Sequence, residues 1–365
     1  MLGESSPEQQ SVLMYPDYTS SNSYQRQLRD ELVDNGYDVH LSQCDRPFPL
    51  LEAVYRQGRP DVFHVHWLHR YFVTERPVVT AILGVRLLVE LLVLRVLGIE
   101  IVWTVHNLAD HERRSPRIEM AVRHLTARLC DRVIVHCDNA RDLVVEEYRL
   151  PDSVVERIEV VPHGNYIGSY RNEVDRATAR EALDLDEDAR VFLYFGLIRP
   201  YKNVRKLIRT FRAVEDEDAR LLVVGSPWND ALRDEILDLA AIDERVRPVL
   251  TFVPDEDIQL YMNAADVAVF PFEEVLTSGT ALLAMSFARP VIAPQRGCVA
   301  ALLDEEGGFA YDPDEPNGLR DALLAALDAD LDGMGAYNYE KVSQFDWGTI
   351  ARKTARAYRR GAADR

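Results

Sequence analysis

Residues 270–294, FPFEEVLTSGTALLAMSFARPVIAP, contain an apolar strand end, a short acidic and hydroxyl-rich turn, an apolar helix and the start of another strand. A buried strand, a helix and a second strand form the unit from which parallel sheets are built. The turn places Thr277, Ser278, Gly279 and Thr280 at the start of the helix. The unpaired N–H groups of a helix N-terminus bind anions, so this stretch predicts a parallel sheet with an anion site.

The same alternation continues in both directions from residues 270–294. In the first half, strands are predicted at 11–15, 37–41, 61–66, 100–105, 132–136 and 157–161, with helices at 21–35, 78–98, 117–129 and 139–148. In the second half, strands are predicted at 190–195, 220–224, 247–252, 266–270 and 290–293, with helices at 202–213, 229–240, 256–264 and 279–288. We therefore expect an α/β protein with two doubly wound domains in tandem.

A polar, charged stretch from about residue 168 to residue 188 interrupts this alternation and predicts a hinge. The predicted domains are residues 1–170 and 171–344. Ligands of doubly wound sheets bind beyond the carboxyl ends of the strands. In a tandem pair, that rule predicts a binding site in the cleft between the domains.

The composition indicates an acidic cytoplasmic protein. The 365 residues carry 60 acidic and 42 basic side chains, for a net charge of −18. Nearly all of the basic residues are arginines, and an acidic surface with little lysine favours a salt-rich cytoplasm. The negative charge argues against nucleic acid as a partner. The polar first ten residues predict no signal peptide, and four cysteines without a CxxC pair favour a reducing compartment and no structural zinc.

The apolar segment 78–98, VVTAILGVRLLVELLVLRVLG, leaves three possibilities open. Its three charges, Arg86, Glu90 and Arg95, argue against a membrane-spanning helix. One alternative is a helix packed on the sheet. The other is a helix lying in a membrane surface with its arginines at the lipid headgroups, which would make the protein peripheral to the membrane.

Histidines concentrate at the predicted strand ends of the first half. They occur in HVHWLH (64–69), in WTVHNLADHE (103–112), at residue 136 and in VVPHGNY (160–166). Imidazole groups hydrogen-bond hydroxyls and exchange protons near neutral pH, so we expect a polar cleft wall there. Zinc is the alternative, although no HExxH sequence is present and the spacings match no common ligand set. We expect no metal site.

The second half has the features of a phosphate site. FGLIRPYKN (195–203) ends a strand and places Arg199 and Lys202 just past the turn. Cations beside a helix N-terminus favour a polyanion, so these two residues and residues 277–280 predict a diphosphate site. Neither GxGxxG after the first strand nor GxxxxGK[ST] occurs, which argues against a dinucleotide oxidoreductase and a P-loop hydrolase.

With these residues in place, nearly the whole chain resembles a glycosyltransferase of the GT-B architecture, close to glycosyltransferase family four. The segment 195–211 is similar to the family's glycine-x5-lysine motif at Gly196 and Lys202, and 252–272 to its base-binding loop, helix and acidic strand. TVHNLADHE and VVPHGNY resemble members that act on lipid-linked or polysaccharide acceptors. The C-terminal FDWGTIARKTARAY resembles the helix, about 345–365, that returns to the first of two Rossmann-like domains.

The resemblance implies a nucleotide-sugar donor in the second domain and a glycan or polyprenyl- or dolichyl-linked acceptor in the first. It implies no metal and no cofactor, because protein cations would stabilise the leaving diphosphate. The implied donor-binding residues are Gly196, Arg199, Lys202, Val253, Pro254, Glu274, Thr277, Ser278, Gly279 and Thr280. The implied acceptor-binding residues are His66, Trp67, Asn107 and His163, and the catalytic candidates are His106, Asp110, His111 and Glu112.

The chain departs from the family pattern at two places. Leu283 occupies the position of the second glutamate of a Glu-x7-Glu motif, and Val275, beside Glu274, that of the first. Leu197 replaces an arginine, whose charge Arg199 could supply. Inversion and retention therefore both stay open: inversion would need a base from residues 110–112, whereas retention would leave His106 to position the sugar. A nucleotide-sugar 2-epimerase and a non-catalytic subunit are the alternative functions.

Overall fold

Strands and helices alternate along the chain in the computed structural model, which describes residues 9–20, 22–44, 46–110, 112 and 114–363, with side chains through Tyr358. The first stretch contains β1 (Ser11–Tyr15), α1 (Ser23–Asp34), β2 (Asp38–Leu41), α2 (Pro49–Gln57), β3 (Val62–Val65), α3 (Pro77–Val96), β4 (Glu100–Thr104), α4 (Pro116–Leu129), β5 (Arg132–Val135), α5 (Asp138–Tyr148), α6 (Asp152–Val155) and β6 (Ile158–Val160). A 3₁₀ turn, Leu68–Tyr71, follows β3.

The second stretch contains a further series of elements. They are α7 (Arg176–Ala182), β7 (Arg190–Phe195), α8 (Val204–Phe211), β8 (Ala219–Val224), α9 (Asp230–Ala240), β9 (Val246–Val249), α10 (Ile258–Ala264), β10 (Val267–Val269), α11 (Gly279–Ser286), β11 (Val291–Pro294), α12 (Gly297–Leu302), β12 (Gly308–Tyr311), α13 (Gly318–Ala325), α14 (Leu331–Ser343) and α15 (Trp347–Ala363). A 3₁₀ turn, Pro200–Lys202, lies between β7 and α8.

Two six-stranded parallel sheets organise these elements. The strand order is β2-β1-β3-β4-β5-β6 in the first sheet and β12-β11-β10-β7-β8-β9 in the second. Each sheet reverses its order beside its first strand, as doubly wound sheets do. Central strands such as β7 and β10 are buried along almost their whole length, which explains why they have continuous apolar runs. The predicted fold class is confirmed, and all predicted strands are found.

The chain divides into two compact units. The first comprises the described residues up to Gly164 and those from Phe345 onward, and the second is Asn165–Gln344. The division falls before residue 170 because Asn165 and Tyr166 bond within the second unit, to the carbonyl oxygen of Val342 and to Ser286 Oγ. Helix α15 packs its apolar face, including Ile350 and Tyr358, into the core of the first unit.

The expected hinge at 168–188 contains a helix instead. Asp175 caps α7 by accepting a hydrogen bond from Thr178 N, at 2.8 Å. Arg180, fully buried, donates to Asp266 Oδ2 at 2.9 Å and to the carbonyl oxygen of Ala264. Arg180, one of the charges on which the predicted hinge rested, therefore holds α7 within the second unit. Strand β12 and helices α2, α6, α12, α13 and α14 were also absent from the prediction.

Helix α3 uses its charges inside the protein. Arg86 donates to the carbonyl oxygen of Tyr71 at 2.7 Å, and Glu90, which is 0% exposed, accepts from the N–H groups of Leu50 and Leu51 at the start of α2. The expectation that the arginines of this segment lie at lipid headgroups is therefore wrong for Arg86. By length and composition α3 could cross a bilayer, but its Glu90 is buried in the first unit, where it bonds the start of α2.

Candidate functional site

A row of histidines lies at the strand ends of the first unit. His66 follows β3, His106 follows β4, and His136 follows β5. His66 Nδ1 lies 3.0 Å from His106 Nε2, and His106 Nδ1 lies 3.5 Å from His136 Nε2. His136 Nδ1 lies 2.9 Å from the carbonyl oxygen of Val161. The three rings thus form one hydrogen-bonded chain.

The carbonyl of Val161 fixes the tautomers along this chain. A carbonyl oxygen only accepts, so His136 carries its hydrogen on Nδ1. Neutral His136 then accepts through Nε2 from His106 Nδ1–H, and His106 accepts through Nε2 from His66 Nδ1–H. Both nitrogens of His106 are therefore used within the protein. His66 Nε2 is left as a buried acceptor, with no hydrogen-bond partner among the described residues.

Burial keeps these imidazoles neutral. It lowers the pKa of His136 to about 4 and holds the pKa of His66 and His106 well below the usual value, with neighbouring histidines adding to the shift in both. His64, which lies within β3, has its pKa lowered to about 3 by burial. Its two nitrogens bond Tyr358 Oη at 2.7 Å and Thr104 Oγ1 at 2.8 Å.

Aromatic rings surround the histidine chain. Trp67 stacks on His106 with ring centroids 4.3 Å apart, and Tyr24 meets the edges of several of the imidazoles, including His106 at 5.1 Å. His163, half-buried, donates from Nδ1 to the carbonyl oxygen of Gly164 at 2.7 Å. Gly164 has no room for a side chain, because a Cβ there would lie 2.4 Å from the ring of Trp347.

These contacts bring His66, Trp67, His106 and His163 together, as the sequence predicted, but in a different state. The prediction was a polar cleft wall of imidazoles ready to exchange protons. Instead His64, His66, His106 and His136 are buried, and most of their nitrogens bond one another or neighbouring groups. The reason is that residues ending adjacent parallel strands face one another across the sheet edge.

The loop after β4 carries the carboxylates of the site. Asp110 is buried, and burial raises its pKa, which Glu119 and Glu112 raise further and Arg114 lowers. Arg114 Nε lies 3.3 Å from Asp110 Oδ2 and 2.7 Å from Glu112. Asp110 Oδ2 makes no hydrogen bond among the described residues. His111 lies outside the described residues.

Three buried side chains hold the backbone of this loop. Glu119 accepts from Asp110 N at 2.7 Å, Arg123 donates to the carbonyl oxygen of Asn107 at 3.1 Å, and Tyr148 donates to that of Leu108 at 2.8 Å. Arg123 also pairs with Glu119 at 2.7 Å. Glu119 and Arg123 are four residues apart on α4, a spacing that places both side chains on the same face. Glu119, Arg123 and Tyr148 were not among the residues predicted for the site, although the spacing of the first two is visible in the sequence.

The predicted anion site lies in the second unit, where β7 ends. Gly196, with φ of 122°, is so close to α11 that a Cβ would lie 3.0 Å from Thr280 Cγ2. Gly225, after β8, has φ of 147°, and a Cβ there would lie 1.9 Å from the oxygen of Gly196. The N–H of Glu273 donates to the carbonyl oxygen of Tyr201 at 3.0 Å. The glycine-x5-lysine segment and the residues leading to α11 are therefore adjacent.

Lys202 is the residue best placed to meet an anion. Its Nζ lies 4.5 Å from the ring centre of Phe272, and no carboxylate among the described residues forms a salt bridge with it. Burial, with a contribution from Arg199, lowers its pKa to about 8. Arg199 lies over the ring of Trp228, at 4.0 Å from its centre. A half-buried ammonium beside a second cation is costly unless an anion joins it.

The start of α11 supplies donors to the same region. Ser278 caps the helix by accepting from Ala281 N at 3.2 Å and lies 3.1 Å from Thr280 Oγ1. Leu283 is buried in the unit, so no carboxylate occupies that position of α11. Val253 and Pro254 follow β9, at the edge of the sheet, and none of the described contacts joins them to this cluster.

Two aromatic residues of the second unit, Tyr166 and Trp228, also lie beside the predicted anion site. A Cβ on Gly279 would lie only 2.9 Å from Tyr166 Oη, so the hydroxyl of Tyr166 lies at the start of α11. Trp228, after β8, supports Arg199. Both were overlooked, although Tyr166 ends the quoted VVPHGNY motif. No three His, Cys, Asp or Glu side chains in the described ranges are arranged to hold a metal ion.

Comparison with known proteins agrees with this geometry. A family model described as Glycosyltransferase Family 4 matches residues 21–165, and one described as Glycosyl transferases group 1 matches residues 189–329. A GDP-mannose:glycolipid 4-beta-D-mannosyltransferase of Xanthomonas campestris pv. campestris is 30% identical over 344 residues, which cover 93% of this chain and 88% of the relative. A D-inositol 3-phosphate glycosyltransferase of Nocardioides sp. is 28% identical over 294 residues, 73% of this chain and 63% of the relative.

Solved structures share the fold. Sucrose-phosphate synthase from Thermosynechococcus elongatus has a TM-score of 0.74 at 20% identity, covering 98% of this chain and 100% of that one. Anabaena HepE in complex with UDP-glucose has a TM-score of 0.73 at 17% identity, covering 95% of this chain and 98% of that one. At sequence identities this low, the structural similarity shows the GT-B fold and nothing about activity.

Proposed function

The chain belongs to the group 1 glycosyltransferases, close to glycosyltransferase family four, and we propose that it transfers mannose from GDP-mannose to a lipid-linked saccharide with inversion at the anomeric carbon. Its class of activity, sugar transfer from a nucleotide sugar to a glycan or lipid acceptor, follows from its family. The observation that carries the donor site is Lys202, a half-buried cation that forms no salt bridge among the described residues. It belongs to the same segment as Gly196, which lies against Thr280 of α11.

The proposed donor site stabilises the leaving diphosphate. Negative charge grows on that group as the bond to the sugar breaks, so preorganised donors lower the barrier. Lys202 and Arg199 would supply the positive charge, and the N–H groups at the start of α11 would supply hydrogen bonds. We propose that no metal takes part. Activity should therefore survive a chelator, and full loss of activity in EDTA that Mg²⁺ restores would contradict this.

Mannose is proposed because of the relative from Xanthomonas, which is named as a GDP-mannose-dependent 4-beta-D-mannosyltransferase. GDP-mannose holds its sugar in α linkage, so a β product requires inversion and a general base for the acceptor hydroxyl. The absence of a carboxylate at Leu283 fits a departure from the retaining members of the family.

Asp110 is our proposed base. Its Oδ2 lies 3.3 Å from Arg114 Nε, which lowers the pKa of Asp110, but burial is the larger influence and raises it. A raised pKa brings a carboxylate toward the working range of a base. The loop that carries it is held at three backbone groups by Glu119, Arg123 and Tyr148, which provides the fixed position that proton transfer requires. His106 is less suitable, because both of its nitrogens are bonded to other histidines.

The acceptor is proposed to be a saccharide on a polyprenyl or dolichyl carrier at the cytoplasmic face of the membrane. The support is the Xanthomonas relative, whose name specifies a glycolipid acceptor. Helix α3 of the first unit also exposes apolar side chains along its outer face. Peripheral membrane contact through this helix would bring the enzyme to such an acceptor.

A donor screen followed by product analysis tests the proposal. GDP and GDP-mannose should raise the melting temperature more than UDP or ADP, by linkage. With a lipid-linked acceptor the product should be a β-mannoside by NMR. Preference for UDP would remove GDP-mannose as the donor, and an α product would remove inversion. Conversion of the nucleotide sugar without any acceptor would indicate an epimerase, and no nucleotide binding at all would indicate a non-catalytic subunit.

Replacement of Asp110 tests the base. Asp110→Asn should lower kcat by about 10²–10⁴-fold, the usual contribution of a general base, and leave the GDP-induced shift unchanged. Glu75→Gln is the matched control, because Glu75 is an exposed carboxylate on the same arginine, Arg114, at 3.4 Å. A kcat for Asp110→Asn equal to that of Glu75→Gln would show that Asp110 is not the base.

A further inference from the structure

The outer face of α3 is a continuous apolar row. Its members recur at alternating intervals of four and three residues, which places them along one side of a helix. They are between 47% and 80% exposed: Val78, Ile82, Val85, Val89, Leu92 and Val96. Because Arg86 and Glu90 turn inward to bond Tyr71 and α2, this row contains no ionised side chain.

Helices α2 and α4 pack on either side of α3 and carry arginines. Arg117 and Arg128 on α4 are exposed, and neither forms an ion pair among the described residues. Arg56 on α2 is exposed as well but pairs with Glu52 of the same helix at 2.7 Å. The acidic residues of α3 and α4 are Glu90 and Glu119, and both are buried. The apolar row therefore has a cationic flank on α4, in a chain whose net charge is −18.

Exposed aromatic side chains lie on and just before α2, which packs on α3. Tyr55 on α2 is 85% exposed, and Phe48, the residue before α2, is half exposed. Leu125 lies between Arg117 and Arg128 on α4 and is also exposed. Aromatic rings with a polar edge prefer the boundary between hydrocarbon and water. We call the exposed side of α2, α3 and α4 the arginine-flanked face.

We propose that the arginine-flanked face binds an anionic lipid bilayer, with the row of α3 among the acyl chains and the arginines at the lipid phosphates. The proposal deepens the proposed function by naming the kind of membrane, and it rests on that function only for its purpose. Binding itself requires no sugar transfer, so the two can fail separately.

Charge complementarity selects the bilayer over a second copy of the chain. Two copies joined through α3 would bring arginines toward arginines, whereas anionic headgroups would pair with them. The remaining surface is strongly acidic and would be repelled by the same membrane, so this face alone would be attracted. A four-three spacing is also found in coiled coils, which makes a dimer the alternative that the test must detect.

Vesicle flotation of the full-length chain tests the proposal. We expect the wild type to float with vesicles of phosphatidylcholine and phosphatidylglycerol, and at least tenfold less with phosphatidylcholine alone. Added salt should weaken the binding, because it screens the arginines. Equal binding to both kinds of vesicle, or to neither, would overturn the proposal.

Two double variants locate the surface. Ile82→Glu with Val89→Glu and, separately, Arg117→Glu with Arg128→Glu should each reduce binding to anionic vesicles at least tenfold. Arg209→Glu, an exposed arginine on α8 of the second unit, is the control and should bind as the wild type does. Wild-type binding by both double variants would overturn the proposal.

Two further measurements keep the outcomes distinct. The GDP-induced thermal shift should be the same in every variant, which shows that each one folds; a protein that binds anionic vesicles without any GDP shift would refute the donor proposal and leave this one standing. Light scattering should give a monomer for the wild type without vesicles. A dimer that Ile82→Glu with Val89→Glu dissociates, together with no flotation, would assign the face to a second copy.

Discussion

The strand ends of the two units differ in the charge of the side chains that they carry. All nine histidines of the chain lie in the first unit, where the buried ones bond one another or neighbouring hydroxyl groups and stay neutral. The second unit has no histidine, and its strand ends carry two neighbouring cations, Arg199 and Lys202. Lys202 forms no salt bridge among the described residues.

This difference indicates that the buried histidines of the first unit are structural, whereas the cations of the second unit are suited to bind an anion. A buried polar group whose hydrogen bonds are satisfied gains little from a ligand, whereas a half-buried cation without a counter-charge gains a great deal. Histidine-rich sequence alone would point to the first unit as the chemical centre. The contacts indicate instead that most of its imidazoles hold the strand ends together. The groups that could still gain an interaction with a ligand are Lys202, which forms no salt bridge, and Asp110, whose Oδ2 makes no hydrogen bond among the described residues.

The largest expected effect is loss of stability in acid. The folded-state pKa is lowered to about 3 for His64 and His163 and to about 4 for His136, so an unfolded chain takes up protons first as the pH falls below about 6.5. Each of the three should remove about 1.4 kcal/mol of unfolding free energy per pH unit below that value, until its own folded pKa is reached.

Urea unfolding at pH 7 and pH 5, followed by tryptophan fluorescence, measures this. Three of the four tryptophans, Trp67, Trp103 and Trp347, belong to the first unit and report on it. The midpoint should fall between pH 7 and pH 5, with the loss beginning near pH 6.5. A midpoint that does not change over this range would mean that the histidines are solvated and the first unit is not a neutral scaffold.

The next largest effect concerns the donor. Lys202→Ala should weaken GDP binding about 10–100-fold, the cost of one hydrogen bond to a charged group, as measured by calorimetry. Arg209→Ala, on the exposed side of α8, should leave it unchanged. Because the pKa of Lys202 is lowered to about 8, GDP affinity of the wild type should also fall as the pH rises through 8. A flat profile to pH 9.5 in the wild type would separate Lys202 from the phosphates.

Much of this comparison could be predicted from the sequence. Continuous apolar runs gave the strands of both sheets, because strands buried on both faces leave little room for another pattern. The prediction of an anion site at residues 277–280 followed from a helix that begins just after a strand. Arg199 and Lys202 were predicted to bind phosphate because they directly follow a strand of a doubly wound domain, which is where such sheets bind their ligands.

The remainder depends on contacts between distant residues. No local pattern tells that the carbonyl of Val161 sets the tautomers of His136 and His106. Arg180 looks like a linker charge until Asp266, in another part of the chain, is placed beside it. Strand β12 has four residues, GFAY, after a polar turn, and so lacks the long apolar run that identifies its neighbours.

A smaller effect is expected from His136. His136→Leu removes the link between Val161 and His106, and should lower the unfolding free energy by about 1–3 kcal/mol, the cost of leaving buried polar groups unpaired. At a temperature where the variant stays folded, kcat should change less than threefold. A kcat loss of more than tenfold without loss of stability would show that His136 takes part in catalysis. The contrast between the two units would then not hold.

The smallest effect separates helix capping from ligand binding in the second unit. Ser278→Ala should cost about 1 kcal/mol of unfolding free energy, since Ser278 Oγ accepts from Ala281 N at the start of α11. Asp175→Ala removes an equivalent cap from α7, where Asp175 accepts from Thr178 N, and should cost a similar amount. Ser278→Ala should in addition weaken GDP binding a few-fold, whereas Asp175→Ala should not. If the two variants bind GDP equally well, the start of α11 is a structural cap and Lys202 meets its anion elsewhere.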